Sequence, residues 1–396
     1  MLRPPRPDPV AALALCVLLA GCGEGATEPV ATRIGVSPEE ALLVRAGDAV
    51  KFTVNASDAE GRRVTGAAAW EVDDPSVATV TQNGRASAVG SGVTTVSATI
   101  GGLTGRARLE VYIPEVVEEY LPGEDYWGRL GYTQYVPGRL PLVLSAGHGG
   151  SLRPSEIATR TYGTTGSDRN TLELTLTVRA ALVELTGYAP HVVLSHLHRS
   201  RLDPNREIVE AAQGNIYAEH AWGEYHEMVR IARRQVELTS GSGLYLDMHG
   251  HAHTIQRVEL GYLLTSEDLN LADVNLNSLS YVARSSIRDL GRDSPIPFSA
   301  LLRGPTSLGG YLEAEGVRVV PSPSDPSPGA DPYWRGGYST RIHGSVEDGE
   351  VVSGVQLEHH WDGLRDTEES HATYAPKLAR SVRAFMLAHY GFFEPG

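Results

Sequence analysis

Hydrophobic and polar positions change their period three times along the chain, and each change marks a different kind of structure. Val10 to Ala20 is an unbroken apolar run of eleven residues behind Arg3 and Arg6. It is too short to span a bilayer as a stable helix but has the length of a signal-peptide core. A linker of small and polar residues follows at 22–32. From 33 to 113, short β-branched runs such as Val50 to Val54, Val77 to Val80 and Val93 to Thr99 alternate with turn signals at Asp58 to Gly61 and Asn83-Gly84. Strands at that spacing predict an all-β sandwich. From 114 to 396 the pattern becomes mixed. Continuous apolar runs over 140–146, 191–195, 244–253 and 351–360 read as buried strands. Helical stripes fall at 171–186, closed by Gly187, at 218–237, and through Tyr374, Leu378, Val382 and Phe385. The third segment is therefore expected to be an α/β domain around a central sheet.

Composition narrows the chemistry. The 396 residues are enough for two domains, and 41% hydrophobic against 21% charged residues is the balance of a chain with a real core. A formal charge of −14 argues against nonspecific nucleic-acid binding, which needs a basic footprint. Both cysteines, Cys16 and Cys22, lie in the first 22 residues, whereas all fourteen histidines follow residue 147. A metal site in the body of the protein must therefore draw on His, Asp and Glu, and a cysteine nucleophile is excluded.

The chemistry-bearing residues collect where strands are expected to end, which is where α/β sheets place ligands. The 140–146 strand runs into Gly147-His148-Gly149-Gly150, and the 191–195 strand into Arg199, Asp203, Asn205 and Arg206. On the 244–253 strand, Asp247, His249, His251 and His253 would share one face, with Asp247 placed to support an imidazole. The 351–360 strand carries Glu358 at its far end. Ahead of the 171–186 helix, Asn170 and Glu173 fit a capping box, which leaves Asp168 without an obvious structural duty, as either a turn aspartate or a ligand. His226 sits beside an apolar stripe and reads as a core-edge histidine. Residues 334–341 read as a flexible polar loop behind a Pro/Ser/Gly stretch at 321–330 that is either a lid or a surface excursion. Two imidazoles and one carboxylate with an open fourth position make the pattern of a catalytic zinc site. A separate glutamate would move the proton.

Three resemblances add to this reading. Leu19-Ala20-Gly21-Cys22 resembles the lipobox of bacterial lipoproteins; it implies cleavage after residue 21, a lipid on Cys22, and export to the cell envelope with a membrane anchor. The alternative is an ordinary secretory signal with a chance cysteine. The stretch from Trp70 to Gly102 resembles bacterial immunoglobulin-like modules of the intimin and invasin type. Within 114–396, "SAGHGG", "DRNTLEL", "HRSRLDPNR", "YLDMHGHAH", "GGYSTR" and "VQLEH" resemble the N-formylglutamate amidohydrolase family, of the zinc carboxypeptidase-like fold. That likeness implies one zinc held by His148, Asp168 and His249, with Glu358 as general base and acid. It implies Arg199 stabilising an oxyanion, and Asn205 and Arg206, with Tyr338 and Arg341, binding the carboxylate of a small substrate. Carboxypeptidases use His-x-x-Glu, but Ser151 stands three residues after His148, so Asp168 or Glu173 must supply the carboxylate ligand. The expectation is a lipid-anchored zinc hydrolase of a C–N amide bond in an N-acyl amino acid or peptide-like substrate bearing a carboxylate, with peptidase or esterase action on the same centre as a further option. The alternative is a surface binding lipoprotein that uses the same fold without catalysis.

Overall fold

A computed structural model describes residues 30–394, so the expected signal segment and Cys22 lie outside the described residues. The chain forms two compact units. Of the described residues, one comprises 30–41 together with Ala46–Glu110; the other comprises Leu42–Arg45 and 111–394.

The first unit is all-β, as the alternation requires. Gly92–Ile100 pairs with Ala69–Val72, Arg33–Ser37 with Thr53–Ser57, and Arg85–Ala88 with both Ala49–Lys51 and Ala78–Val80. In Gly92–Ile100 every second residue from Thr94 is buried, the period of a sheet with one covered face. The Asn83-Gly84 turn is fixed by sterics. Gly84 has φ +82°, and a Cβ there would lie 2.5 Å from the Phe52 carbonyl oxygen and 2.8 Å from the Trp70 ring.

The second unit is built on an eight-stranded mixed sheet. Its strands are β1 (Tyr126–Trp127), β2 (Thr133–Val136), β3 (Leu142–Ala146), β4 (His191–Ser195), β5 (Gly243–Gly250), β6 (Val258–Gly261), β7 (Val319–Val320) and β8 (Val352–His359). They lie in the order β1-β2-β4-β3-β5-β8-β6-β7. The central four, β4-β3-β5-β8, are mutually parallel, and β2 and β6 flank them antiparallel. The principal helices are α1 (Thr171–Thr186), α2 (Ile216–Ser240), α3 (Tyr338–His343) and α4 (Glu368–His389).

Strand alternation divides the core in two. Leu142, Leu144, Leu244 and Leu246 pack with Leu174 and Val178 of α1 and with Leu378, Val382 and Phe385 of α4. Val143, Val193 and Tyr245, the intervening positions, pack with Tyr225, Val229 and Val236 of α2. Each such large apolar side chain contributes about 1.5–3 kcal/mol on burial. The same alternation turns Asp247 and His249 of β5, and Gln356 and Glu358 of β8, to the α2 side. Because the central strands run parallel, their polar C-terminal ends meet along one edge.

Several local expectations need correction. The capping box is not made: Asn170 takes a left-handed conformation (φ 66°), and its amide donates to the Arg365 carbonyl instead, at 2.8 Å. The strand carrying Asp247 and His249 stops at Gly250, so His251 and His253 lie beyond it. Residues 338–341 are not a flexible loop but the start of α3, with Ser339 and Thr340 buried. Asn205 Oδ1 accepts from the Ser339 N–H at 2.8 Å and caps that helix from a distance. The 321–330 stretch is tied down rather than free, since Glu313 accepts from the hydroxyls of both Ser322 and Ser324.

Candidate metal centre

Glycines let the end of β3 pass between two neighbours. A Cβ on Gly149 would lie 2.6 Å from the Leu172 nitrogen, and one on Gly150 would lie 2.3 Å from the His196 carbonyl carbon. His148 is therefore held against the N-terminus of α1 and the end of β4. Asp168 is fixed by the turn into α1: its N–H donates to the His148 carbonyl at 3.2 Å, and its own carbonyl accepts from the Thr171 hydroxyl at 2.8 Å. Glu173, the other candidate carboxylate, is exposed.

His148, Asp168 and His249 converge as one buried group. Nδ1 of His148 lies 3.0 Å from Nδ1 of His249, and each lies 3.1 Å from Asp168 Oδ2. Three atoms so spaced lie on a circle of radius about 1.8 Å. A point about 1 Å off their plane is therefore about 2.0–2.1 Å from all three, the length of zinc–nitrogen and zinc–oxygen bonds.

The far side of each ring supports this fit. His148 Nε2 is 2.7 Å from Asp203 Oδ1, and His249 Nε2 is 3.0 Å from Asp247 Oδ2. Each carboxylate draws a proton to Nε2 and leaves the Nδ1 lone pair facing inward, as a carboxylate behind a metal-binding imidazole does. Asp247 carries the support expected of it. Asp203 supplies the second support, and its only signal in the sequence was its place in the charged stretch after β4.

Burial disfavours charge here, yet opposite charges prevail. The Asp168 carboxyl is held well below the usual range by His148 and His249. His249 is held well above the ordinary imidazole value by Asp247 and Asp168. The centre attracts positive charge.

Arg199 and Glu358 border the triad. Arg199 Nε donates to Asp203 Oδ2 at 2.9 Å and its NH1 reaches Asp168 Oδ1 at 3.4 Å. Glu358 pairs in register with His249 on the neighbouring parallel strand, so the two share a face. Its Oε1 accepts from Gln356 Nε2 at 2.9 Å. Burial pushes its carboxyl up to about 8, with Asp168 and Glu259 adding to the rise against the pull of His249.

The expected substrate-binding residues divide. Asn205 is buried and spends its amide on Ser339 and Gln356. Arg206, Tyr338 and Arg341 lie further out. Arg206 pairs with Glu210 at 3.3 Å, Arg341 pairs with Glu207 at 2.5 Å, and the Arg341 guanidinium stacks 5.0 Å from the Tyr338 ring centre. Gln356 links the two zones, since its Oε1 accepts from the Gly337 N–H at 2.8 Å while its Nε2 holds Glu358.

His251, His253 and Glu259 form a second group that metal geometry allows. Its hydrogen bonds argue against that use. His251 donates from Nε2 to the Arg257 carbonyl at 2.8 Å and accepts at Nδ1 from the His253 N–H at 3.1 Å, so neither nitrogen is left for a metal. His226 is a core histidine as expected, placed between His343 Nε2 and the Pro204 carbonyl.

Comparison with known proteins bears on both units. The family model of the bacterial Ig-like domain (group 2) matches residues 30–111. A crystal structure of S-layer protein SbsC domains 4 and 5 is similar at 23% identity and TM-score 0.20, over 21% of this chain and about half, 53%, of that one. A crystal structure of N-formylglutamate amidohydrolase from Ralstonia eutropha is similar at 14% identity and TM-score 0.40, over 63% of this chain and 94% of that one. No curated protein matches the chain. No helix among the described residues is long and apolar enough to cross a membrane.

Proposed function

We propose that the second unit is a zinc-dependent hydrolase of C–N amide bonds in small carboxylate-bearing substrates, exported and lipid-anchored through Cys22, with the Ig-like unit as a spacer. The observation that carries the reading is the inward convergence of two Nδ1 atoms and one carboxylate oxygen, each imidazole backed by its own buried aspartate. Zinc at a two-histidine, one-carboxylate centre supplies Lewis acidity, which polarises a carbonyl and acidifies water.

The residues of the chain supply the rest. Glu358, held at Oε1 by Gln356, makes no protein hydrogen bond at Oε2 among the described residues. That oxygen is placed to take a proton from the attacking water and return it to the departing amine. Burial raises the carboxyl towards neutrality, where proton transfer in both directions is efficient. Arg199 is anchored through Nε and NH1, and its NH2 has no protein partner among the described residues. It is placed to meet charge developing on the carbonyl oxygen. Arg206 and Arg341 hold Glu210 and Glu207 in partly exposed pairs, which are weak. A substrate carboxylate can take the place of either glutamate without changing the local charge.

The test is Glu358→Gln. The variant should retain about one zinc per chain and lose amide hydrolysis by about 10²-fold or more, the contribution of a positioned acid and base. Unchanged turnover would refute the assignment of Glu358. Purified protein that takes up no zinc would favour a surface binding protein on the same fold.

A further inference from the structure

His249, Glu358 and Glu259 form a row on one face of the sheet, at paired positions of β5, β8 and β6. Glu259 is fully buried and belongs to no metal group that its neighbours can complete. Both of its oxygens are committed: Oε1 faces His253 Nδ1 at 2.9 Å, and Oε2 accepts from the backbone N–H of Trp334 at 2.8 Å. Arg257 Nε lies 3.9 Å away and balances its charge. The effect is to clamp His253 and Trp334 side by side, their rings nearly parallel at 14° and 5.6 Å between centres.

The segment around Trp334 is fastened on both sides. The Tyr333 hydroxyl donates to the Leu260 carbonyl at 2.6 Å, the Leu263 N–H to the Arg335 carbonyl at 2.6 Å, and the Gly337 N–H to Gln356 at 2.8 Å. Yet Trp334 is 48% exposed. Burying a carboxylate is costly, and a folded chain gains little stability from using one to fix the backbone of a half-exposed tryptophan and the imidazole stacked on its ring. Such a rigid, preorganised aromatic surface is suited to ligand contact. Strands are spaced about 4.8 Å apart, so Glu259 lies two spacings, about 10 Å, from His249. A carbonyl at the triad lies at one end of this row, and an aryl group carried one or two carbons beyond it extends towards the other.

Resting on the hydrolase reading, we propose that Trp334, braced by His253 and Glu259, is the specificity-determining surface for the acyl half of the substrate, and that this half carries an aromatic group rather than formyl or acetyl. The carboxylate-bearing half lies on the opposite side of Gly336-Gly337, towards Tyr338 and Arg341.

The experiment compares N-phenylacetyl and N-acetyl derivatives of one amino acid on the zinc-loaded full chain. The wild type should favour phenylacetyl by about tenfold or more in kcat/KM, the scale of one aromatic ring packed on another. Trp334→Ala should bring the ratio close to one, and Trp334→Phe should keep most of it. A wild type that favours acetyl, or a ratio that Trp334→Ala leaves unchanged, overturns the proposal while leaving the hydrolase reading intact. If no amide is cleaved, the hydrolase reading fails and the Trp334 surface is judged by calorimetric titration with phenylacetate and acetate. Phenylacetate binding that Trp334→Ala weakens about tenfold supports the surface, and equal binding of the two acids overturns it.

Discussion

Replacing Asp203 by Asn tests whether the support behind the triad matters as the geometry requires. Asp203 is fully buried; its Oδ1 serves His148 Nε2 at 2.7 Å and the Asn205 N–H at 3.1 Å, and its Oδ2 serves Arg199 Nε at 2.9 Å. All three partners are donors. An asparagine offers one accepting oxygen and one donating NH2, so no orientation satisfies all of them. With the oxygen towards His148, the NH2 meets the Arg199 N–H, and a buried guanidinium keeps only its 3.4 Å contact with Asp168. Removing one partner of a buried pair costs about 3–5 kcal/mol. With the amide flipped, the NH2 meets the Asn205 N–H, and His148 must accept at Nε2 and carry its proton on Nδ1, the atom that faces Asp168 and His249. Loss of such a supporting carboxylate lowers metal affinity by about 10–100-fold, or about 1.4–2.7 kcal/mol. Competition with a chromophoric chelator measures the zinc affinity, and urea denaturation of metal-free protein measures the stability. Glu237→Gln, at a surface ion pair with Arg234, is the control and should change neither. If Asp203→Asn matches the wild type in both assays, His148 is not oriented by Asp203 and the tautomer argument fails.

Three further outcomes follow from buried groups. In metal-free protein the proton affinity of Glu358 is raised from the ordinary 4.5 to about 8, so the stability it contributes is full below pH ~4.5 and is lost as pH rises through about 8. Glu358→Gln should therefore gain in unfolding free energy over the wild type between pH 5 and pH 9, by several kcal/mol at about 1.4 kcal/mol per tenfold change in affinity, as read by urea denaturation; a pH-independent difference would contradict this. Burial depresses His191 and His226 to about 4 and His359 to about 3. These rings fold neutral, so stability should fall as pH drops from about 6.5 towards 4, and a midpoint in urea that stays flat across that window would show that they are not buried neutral. Gly150→Ala should destabilise the end of β3 by several kcal/mol, because its Cβ would sit 2.3 Å from backbone that has no free rotation; calorimetry showing less than about 1 kcal/mol would refute it.

What the sequence revealed follows the range of the interactions involved. The spans of α1 and β4 match the expected bounds because each carries its own period and stop signal, such as Gly187 in its left-handed conformation at the end of α1. The six helices between Ser266 and Ala314 had no such mark. They run from four to seven residues, too short for a 3.6-residue stripe to repeat. Helix α3 was hidden for another reason: its cap comes from Asn205, more than a hundred residues earlier.

The same division runs through the site. Asp247 was legible as the partner of His249 because two residues along a strand return to one face, a relation that the sequence contains in full. Asp203 reaches His148 across 55 residues and a crossover between neighbouring parallel strands, so no local pattern could pair them. Glu259 illustrates the opposite risk. Read by residue type, His251, His253 and Glu259 make a metal group as good as the first, and their proximity does not decide against it. The decision comes from where each lone pair and each N–H is already spent. In the first group the supporting carboxylates turn the two Nδ1 atoms inward, and Asp168 Oδ2, which accepts only the Gly250 N–H from the backbone, keeps a lone pair towards them. In the second, backbone partners have claimed both nitrogens of His251 and one oxygen of Glu259, so the buried charge holds the backbone of Trp334 instead.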